Sequence, residues 1–219
     1  MLTVPIILSL VLAYLFGSIP TAVWIGKAFY DIDVREYGSG NAGATNTFRV
    51  LGKKAGIPVL LIDCLKGFVA VKLALLFTEE PISHAAFVNY QLALGISAVL
   101  GHIFPIFAGF RGGKGIATLL GLMLAIHLQG AVISLLVFLI VFMVTRFVSL
   151  GSMTAALSFP FVIVLLFHTT VPSLIVFSMF IAILVLITHQ KNIERLVRRE
   201  ESKANISIRN LIKQAGEDD

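Results

Sequence analysis

"YGSGNAGATN", residues 37–46, decides between two folds. Gly38, Gly40 and Gly43 spell G-x-G-x-x-G, the glycine spacing of a dinucleotide-binding βαβ turn. That fingerprint requires a strand before it and a helix after it within one βαβ unit. Here the stretch follows an apolar run of transmembrane length and a charged loop. The context excludes the nucleotide turn. "GFRGGKG", residues 109–115, fails as a phosphate loop for a different reason: the G-x-x-x-x-G-K-[ST] spacing is missing, and Gly115 follows Lys114. What survives is backbone chemistry, since glycine admits left-handed φ and lets main-chain N–H groups approach an anion.

The rest of the chain is apolar. Of 219 residues, 58% are hydrophobic and 13% charged, with a mean hydropathy of +0.95. A soluble domain carries about a quarter charged residues. The composition therefore predicts an all-α integral membrane protein, a seven-helix transmembrane bundle. The segments fall at 4–26, 56–77, 86–107, 116–128, 130–145, 150–167 and 172–188. The fourth is shorter than the ~20 residues that cross a ~30 Å hydrocarbon core. It reads as a short helix in a thinned region, or as one arm of a re-entrant pair with the fifth. The first lacks a basic leading region and reads as a retained helix rather than a signal peptide.

Charge sets the orientation. Lys27, Arg35, Arg49, Lys53 and Lys54 lie in the first loop, Arg111 and Lys114 in the third, and Arg146 in the fifth. Lys191, Arg195, Arg198, Arg199, Lys203, Arg209 and Lys213 lie in the tail. The alternate loops hold no Lys or Arg, and only Lys66 and Lys72 remain, both inside the second segment. The positive-inside rule then places the N-terminus outside and the C-terminus in the cytoplasm. The same rule accounts for the net charge of +5 without nucleic acid. Residues 1–200 read as one transmembrane domain, and 201–219 as a polar cytoplasmic tail. Ile193, Leu196 and Val197 alternate with charges, which predicts a short amphipathic surface helix.

Four polar clusters share the cytoplasmic boundary: "GSGNAGATNTFR" (38–49), "GHIFPIFAGFRGGKGIAT" (101–118), "TRFVSLGSM" (145–153) and "THQKNIERL" (188–196). In the first, Ser39, Asn41, Thr45 and Asn46 add neutral donors and Arg49 adds a fork suited to phosphate oxygens. In the second, Gly112 and Gly113 precede Lys114 and a helix start, which makes an anion cradle of free N–H groups and an ammonium. The bland alternative for both is a flexible basic loop. Ser149 and Ser152 follow Arg146 at i+3 and i+6, so one helix face would carry all three; small-residue helix packing is the competing reading. His189 ends the last span beside Lys191 and Asn192 and suits either a base or a structural contact. His102 reads as a hydrogen-bonded structural histidine, and Asp63 with Lys66 as an i,i+3 intramembrane pair. The single cysteine, Cys64, forms no internal disulfide, and neither the histidines nor the thiol suggest a metal site.

In this order the clusters, with "GSIPTAVWIGK" (17–27), "DCLKG" (63–67) and "GKKAG" (52–56), resemble the bacterial acyl-phosphate-dependent glycerol-3-phosphate acyltransferases, the PlsY family. The resemblance implies transfer of a fatty acyl group from acyl phosphate to the 1-hydroxyl of sn-glycerol 3-phosphate. The products are lysophosphatidic acid and phosphate, in the first acylation of phospholipid synthesis. It implies no cofactor, a site at the cytoplasmic face of the bacterial plasma membrane, and the soluble acyl-phosphate-producing enzyme (PlsX) as a partner. Carried over by motif, Ser39, Asn41, Gly43, Asn46, Arg49, Gly112, Gly113, Ser149 and Ser152 would bind substrate. Lys114, His189 and Asn192 would be catalytic. Gln190 departs from the arginine more usual there.

No Ser-His-Asp arrangement and no H-x-x-x-x-D pair is present. The expected chemistry is proximity plus electrostatics, with substrate phosphate as proton acceptor and His189 as the protein's candidate base. The rival class, a transporter of a phosphorylated solute, calls for midplane polar residues and broken helices in repeated halves.

Overall fold

The computed structural model describes residues 4–78 and 82–204. Residues 79–81 and the tail beyond Ala204, with Arg209 and Lys213, lie outside the described residues. The chain forms helices α1 (Val4–Gly17), α2 (Thr21–Tyr30), α3 (Ala44–Leu51), α4 (Lys53–Lys72), α5 (Ala74–Phe77) and α6 (His84–Ile103). It continues through α7 (Ile116–Ile126), α8 (Leu128–Thr145), α9 (Val148–Phe161), α10 (Pro172–Thr188) and α11 (Gln190–Val197). Short 3₁₀ turns at Val34–Glu36 and Ile106–Ala108 shape the two motif loops, and α9 runs on into a π-turn at Val162–Leu166, just after Pro160.

The apolar segments each become helix, with instructive departures. The first is not one helix. Pro20 cannot donate to the ladder, so the chain breaks after Gly17 and resumes at Thr21 with a 40° bend. The break frees the carbonyl of Ile19, and Lys66 Nζ takes it at 2.9 Å. The same ammonium lies 2.9 Å from Asp63 Oδ1, which also accepts from Thr21 Oγ1 at 3.1 Å. The i,i+3 pair is thus real, and it ties α4 to the α1–α2 break. Both side chains are buried, where an unpaired charge is very costly.

Among the described residues, three stretches are long and apolar enough to cross a membrane alone: His84–Ala108, Leu128–Thr145 and Val148–Leu166. Counting each bent pair, α1 with α2 and α10 with α11, as one span makes five. α4 has 20 residues but carries the buried charges, and α7 has 11, about 16 Å of helix. α7 is nevertheless central. It packs along α4, where Gly67 meets the backbone at Thr118 and Gly121 meets the carbonyl of Cys64. A Cβ at either glycine would overlap that backbone. Without a hydrophobic drive between helices in lipid, such close backbone approach is what holds neighbours together.

One core runs through Leu92, Leu119, Leu122, Ile163 and Phe177. Ile193 and Leu196 of α11 pack against it, whereas Val197 is exposed, so the tail helix is amphipathic as expected. The outer faces present Ile140, Met143, Val144, Val176 and Phe180. An apolar exterior of that extent suits a lipid bilayer, not water.

Candidate active site

The 37–43 loop is organised by Asn46. Its Oδ1 accepts from Ser39 N at 2.8 Å and from Ser39 Oγ at 3.1 Å, and its Nδ2 donates to the carbonyls of Val34 at 2.8 Å and Tyr37 at 3.1 Å. Gly38 (φ 61°) and Gly40 (φ 71°) supply the left-handed turns that fold the loop over this amide. The opening motif is therefore an asparagine-centred turn leading into α3, with Gly43, in extended conformation, as the residue before the helix. Asn46 is buried and spends its side chain on the loop, while Ser39 and Arg49 stay exposed. Asn41 is half-buried on the same loop.

Ala42 of this loop and Arg35 just before it make contacts with residues 108–115. Ala42 N donates to Gly112 O at 3.4 Å. Arg35 holds Asp33 with Nε (2.9 Å) and Nη2 (2.7 Å), then donates through Nη1 to the carbonyl of Ala108 at 2.7 Å. The guanidinium holds the Asp33 carboxyl down at about 2, so the clamp stays charged across the neutral range. Arg35 belongs to none of the four polar clusters; the Asp-x-Arg spacing at 33–35 is its one local trace.

The expectation of free N–H groups at Gly112 and Gly113 needs correction. Gly112 N donates to Ile103 O and Gly113 N to His102 O, both at 3.1 Å. Both glycines are needed for room: a Cβ on Gly112 would overlap the His102 carbonyl, and one on Gly113 the His102 ring. Amides left for an anion come from the first turn of α7, whose donors have no partner within the helix. His102 is buried, but its Nδ1 has no hydrogen-bond partner among the described residues and lies 3.8 Å from Asp63 Oδ1. It acts as a packed spacer between the buried pair and the glycine loop, not as a fully hydrogen-bonded histidine.

Lys114 leaves this loop and meets the C-terminal segment. Its Nζ donates to Asn192 Oδ1. Asn192 Nδ2 donates to Glu201 Oε1 at 2.7 Å, and Ser149 Oγ donates to the same oxygen at 2.7 Å. Partial burial brings the Lys114 ammonium down to about 8; Glu201 opposes that shift, while Arg195 and Arg49 add to it. The cluster thus unites Lys114, Asn192 and Ser149, with Arg49 and Arg195 within electrostatic range. Nothing local in the sequence marks Glu201 or Arg195 as part of this cluster.

His189 occupies the 61° bend between α10 and α11 and is buried. Its Nδ1 lies 2.8 Å from the carbonyl of Val185, which makes Nδ1 the protonated nitrogen and leaves Nε2 as an acceptor. Burial, and then the Lys114 charge, push its pKa down to about 4, so the ring is neutral at pH 7. The serines part company. Ser149 reaches Glu201, whereas Ser152 returns its proton to the Val148 carbonyl at 2.9 Å. Arg146 does not share their face. It sits in the α8–α9 turn with φ 62°, before the helix that carries both serines begins.

The chain is similar to known proteins along nearly its whole described length. The family model for glycerol-3-phosphate acyltransferase matches residues 7–199. A glycerol-3-phosphate acyltransferase of Listeria monocytogenes is 46% identical, over 92% of this chain and 98% of its own. The Enterococcus faecalis protein of the same name is 42% identical, over 93% of this chain and 94% of its own. The crystal structure of PlsY, an integral membrane glycerol 3-phosphate acyltransferase, in its glycerol 3-phosphate form superposes with a TM-score of 0.81. It shares 35% identity over 91% of this chain and 96% of that one. The lysophosphatidic acid form of PlsY gives 0.77 at 34% identity, over 91% and 95% of the two chains. A helical membrane bundle, a polar cluster around Lys114 and these relatives together place the chain in the glycerol-3-phosphate acyltransferase family.

Proposed function

We propose that this acyltransferase takes its acyl group from acyl phosphate and delivers it to the 1-hydroxyl of sn-glycerol 3-phosphate, at the cytoplasmic face of a seven-span bundle in the bacterial plasma membrane. The observation that carries the reading is the convergence on Lys114. Chain segments remote in sequence bring an ammonium, two guanidinium groups, a hydroxyl and an amide to one partly buried mouth, and an anion already sits there. Two phosphorylated substrates need such charge. The seven-span reading is supported by the strict alternation of basic loops, with α7 as a short span shielded by α4.

The reaction needs little covalent help. Acyl phosphate is a mixed anhydride, so its carbonyl is already activated. The 1-hydroxyl oxygen attacks the carbonyl carbon, a new ester C–O bond forms, and the acyl C–O bond to phosphate breaks. Phosphate leaves with the electron pair and accepts the hydroxyl proton. Lys114 and the first amides of α7 stabilise the developing charge. In this reading Arg49, within electrostatic range of Lys114, and Ser39, on the loop that Ala42 joins to Gly112, hold glycerol phosphate, with Ser149 and Asn192 as the other polar groups. A histidine with a pKa of about 4 is a weak base, so His189 orients the hydroxyl through Nε2 more than it stores the proton.

The test is phosphate release by purified protein given palmitoyl phosphate and glycerol 3-phosphate, with palmitoyl-CoA as the control donor. Release that needs both substrates, yields lysophosphatidic acid and ignores palmitoyl-CoA supports the proposal. Release with palmitoyl-CoA in place of palmitoyl phosphate overturns the donor assignment. Glycerol 3-phosphate binding without any turnover favours transport.

A further inference from the structure

The anion in the Lys114 cluster belongs to the protein. After α11 the chain reverses. Glu200 N donates to Arg195 O at 2.7 Å and Arg199 N to Leu196 O at 3.1 Å, the paired bonds of a Schellman turn. The left-handed position, normally glycine, is Arg199 at φ 60°. Three further contacts hold the returning strand. Glu201 N donates to Arg195 O at 3.2 Å, Lys203 Nζ sits 5.6 Å from the Phe147 ring centre, and Ala204 N donates to Arg146 O at 2.8 Å. Between these anchors Glu201 points into the mouth, where Oε1 takes the Ser149 hydroxyl and the Asn192 amide.

We propose that Glu201 is an internal competitor for the phosphate-binding position, so that the 198–204 strap sets the enzyme's apparent affinity for its phosphorylated substrate. The inference rests on the phosphate-binding reading of the Lys114 cluster given above. Its logic is donor counting and charge. The Ser149 hydroxyl has one proton, and Glu201 holds it; a phosphate oxygen cannot have it at the same time. A phosphate dianion beside a retained carboxylate in a partly desolvated mouth is repelled, so one of the two leaves. The strap can leave. Its anchors are a cation–π contact and single backbone bonds, and its turn carries an arginine where glycine is the relaxed choice. Without substrate, Glu201 keeps the donors satisfied and the cations neutralised. With substrate, the carboxylate yields its place.

The experiment uses the full-length protein with E201Q, which keeps shape and removes charge, and K203A, which loosens an anchor without touching the cluster. Steady-state kinetics with varied glycerol 3-phosphate are paired with calorimetric binding of inorganic phosphate. The expected result is a KM lowered about three- to tenfold in E201Q, as a blocked fraction is released. kcat should be unchanged or higher, phosphate should bind more tightly by a similar factor, and K203A should show a smaller shift in the same direction. A loss of kcat in E201Q, with the elution profile and melting temperature of the wild type, overturns the proposal and makes Glu201 a positioning or catalytic group. Unchanged KM and unchanged phosphate binding overturn it equally. Tighter phosphate binding in E201Q without acyl transfer by any form would leave the strap standing and remove the acyltransferase reading instead.

Discussion

Two carboxylate–ammonium partnerships define this molecule, and they differ in kind. Asp63 and Lys66 stand three residues apart on α4, buried in the bundle, with Thr21 and the Ile19 carbonyl filling out their contacts. Glu201 and Lys114 are remote in sequence and meet at the partly open mouth through Asn192. The first pair is local and permanent. Its desolvation cost is met only while both partners and the α1–α2 break stay in place. The second is assembled by the fold and, in the proposal above, is exchanged when a substrate phosphate takes the place of the carboxylate. The difference teaches that ion pairing serves architecture inside the bundle and ligand exchange at its rim.

The largest test of that contrast is at the inner pair. D63A leaves Lys66 buried and uncompensated, and should cost about 3–5 kcal/mol of stability. Thermal unfolding in detergent, monitored by circular dichroism, should show the loss; a melting curve matching the wild type would erase the architectural role. At the rim the order reverses. K114A should reduce turnover about 10²- to 10³-fold, the effect of removing one charge-stabilising donor, while the fold survives. pH sharpens this. Lys114 titrates near 8, so its cationic fraction falls as pH rises through that value, and KM for glycerol 3-phosphate should climb on the alkaline side. K114R keeps its charge there and should lose that limb. His189 is already neutral well above 4, so it should add no inflection between pH 6 and 7.

A smaller effect separates helix packing from both pairs. G121V forces α7 off the Cys64 carbonyl and should cost about 1–3 kcal/mol, read from the same melting curves. Unchanged stability would mean that α4 and α7 are not in close contact. The smallest expected change is at the clamp between the motif loops. R35K keeps the charge but loses the fork that spans Asp33 and the Ala108 carbonyl. It should raise KM about fivefold, equivalent to ~1 kcal/mol, with kcat little altered. An equal fall in kcat would place Arg35 in the chemistry itself.

Much of this was legible in the order of residues. Apolar runs of membrane length, the alternation of basic loops and four polar clusters on one side are one-dimensional signals, because a bilayer imposes its thickness and polarity along the chain. The Asp63–Lys66 pair was legible for the same reason, since i,i+3 is a helix-surface neighbour wherever the helix goes. The break at Pro20 carries a local signal too, but hydropathy averages across it.

The rest depended on three-dimensional contact. No spacing rule says that Glu201 returns to Ser149, that Arg35 reaches Ala108, or that the amides of Gly112 and Gly113 turn inward to the end of α6. Those are hydrogen bonds between segments remote in the chain, and a directional contact of about 3 Å is decided only when packing fixes both ends. By itself the sequence determined that this is an α-helical membrane protein whose polar and basic residues gather in a few motif loops that form one face. Only the tertiary structure decided which groups form that face and which donors are already spent, because burial and hydrogen-bond partnership belong to the folded arrangement and not to any stretch of it.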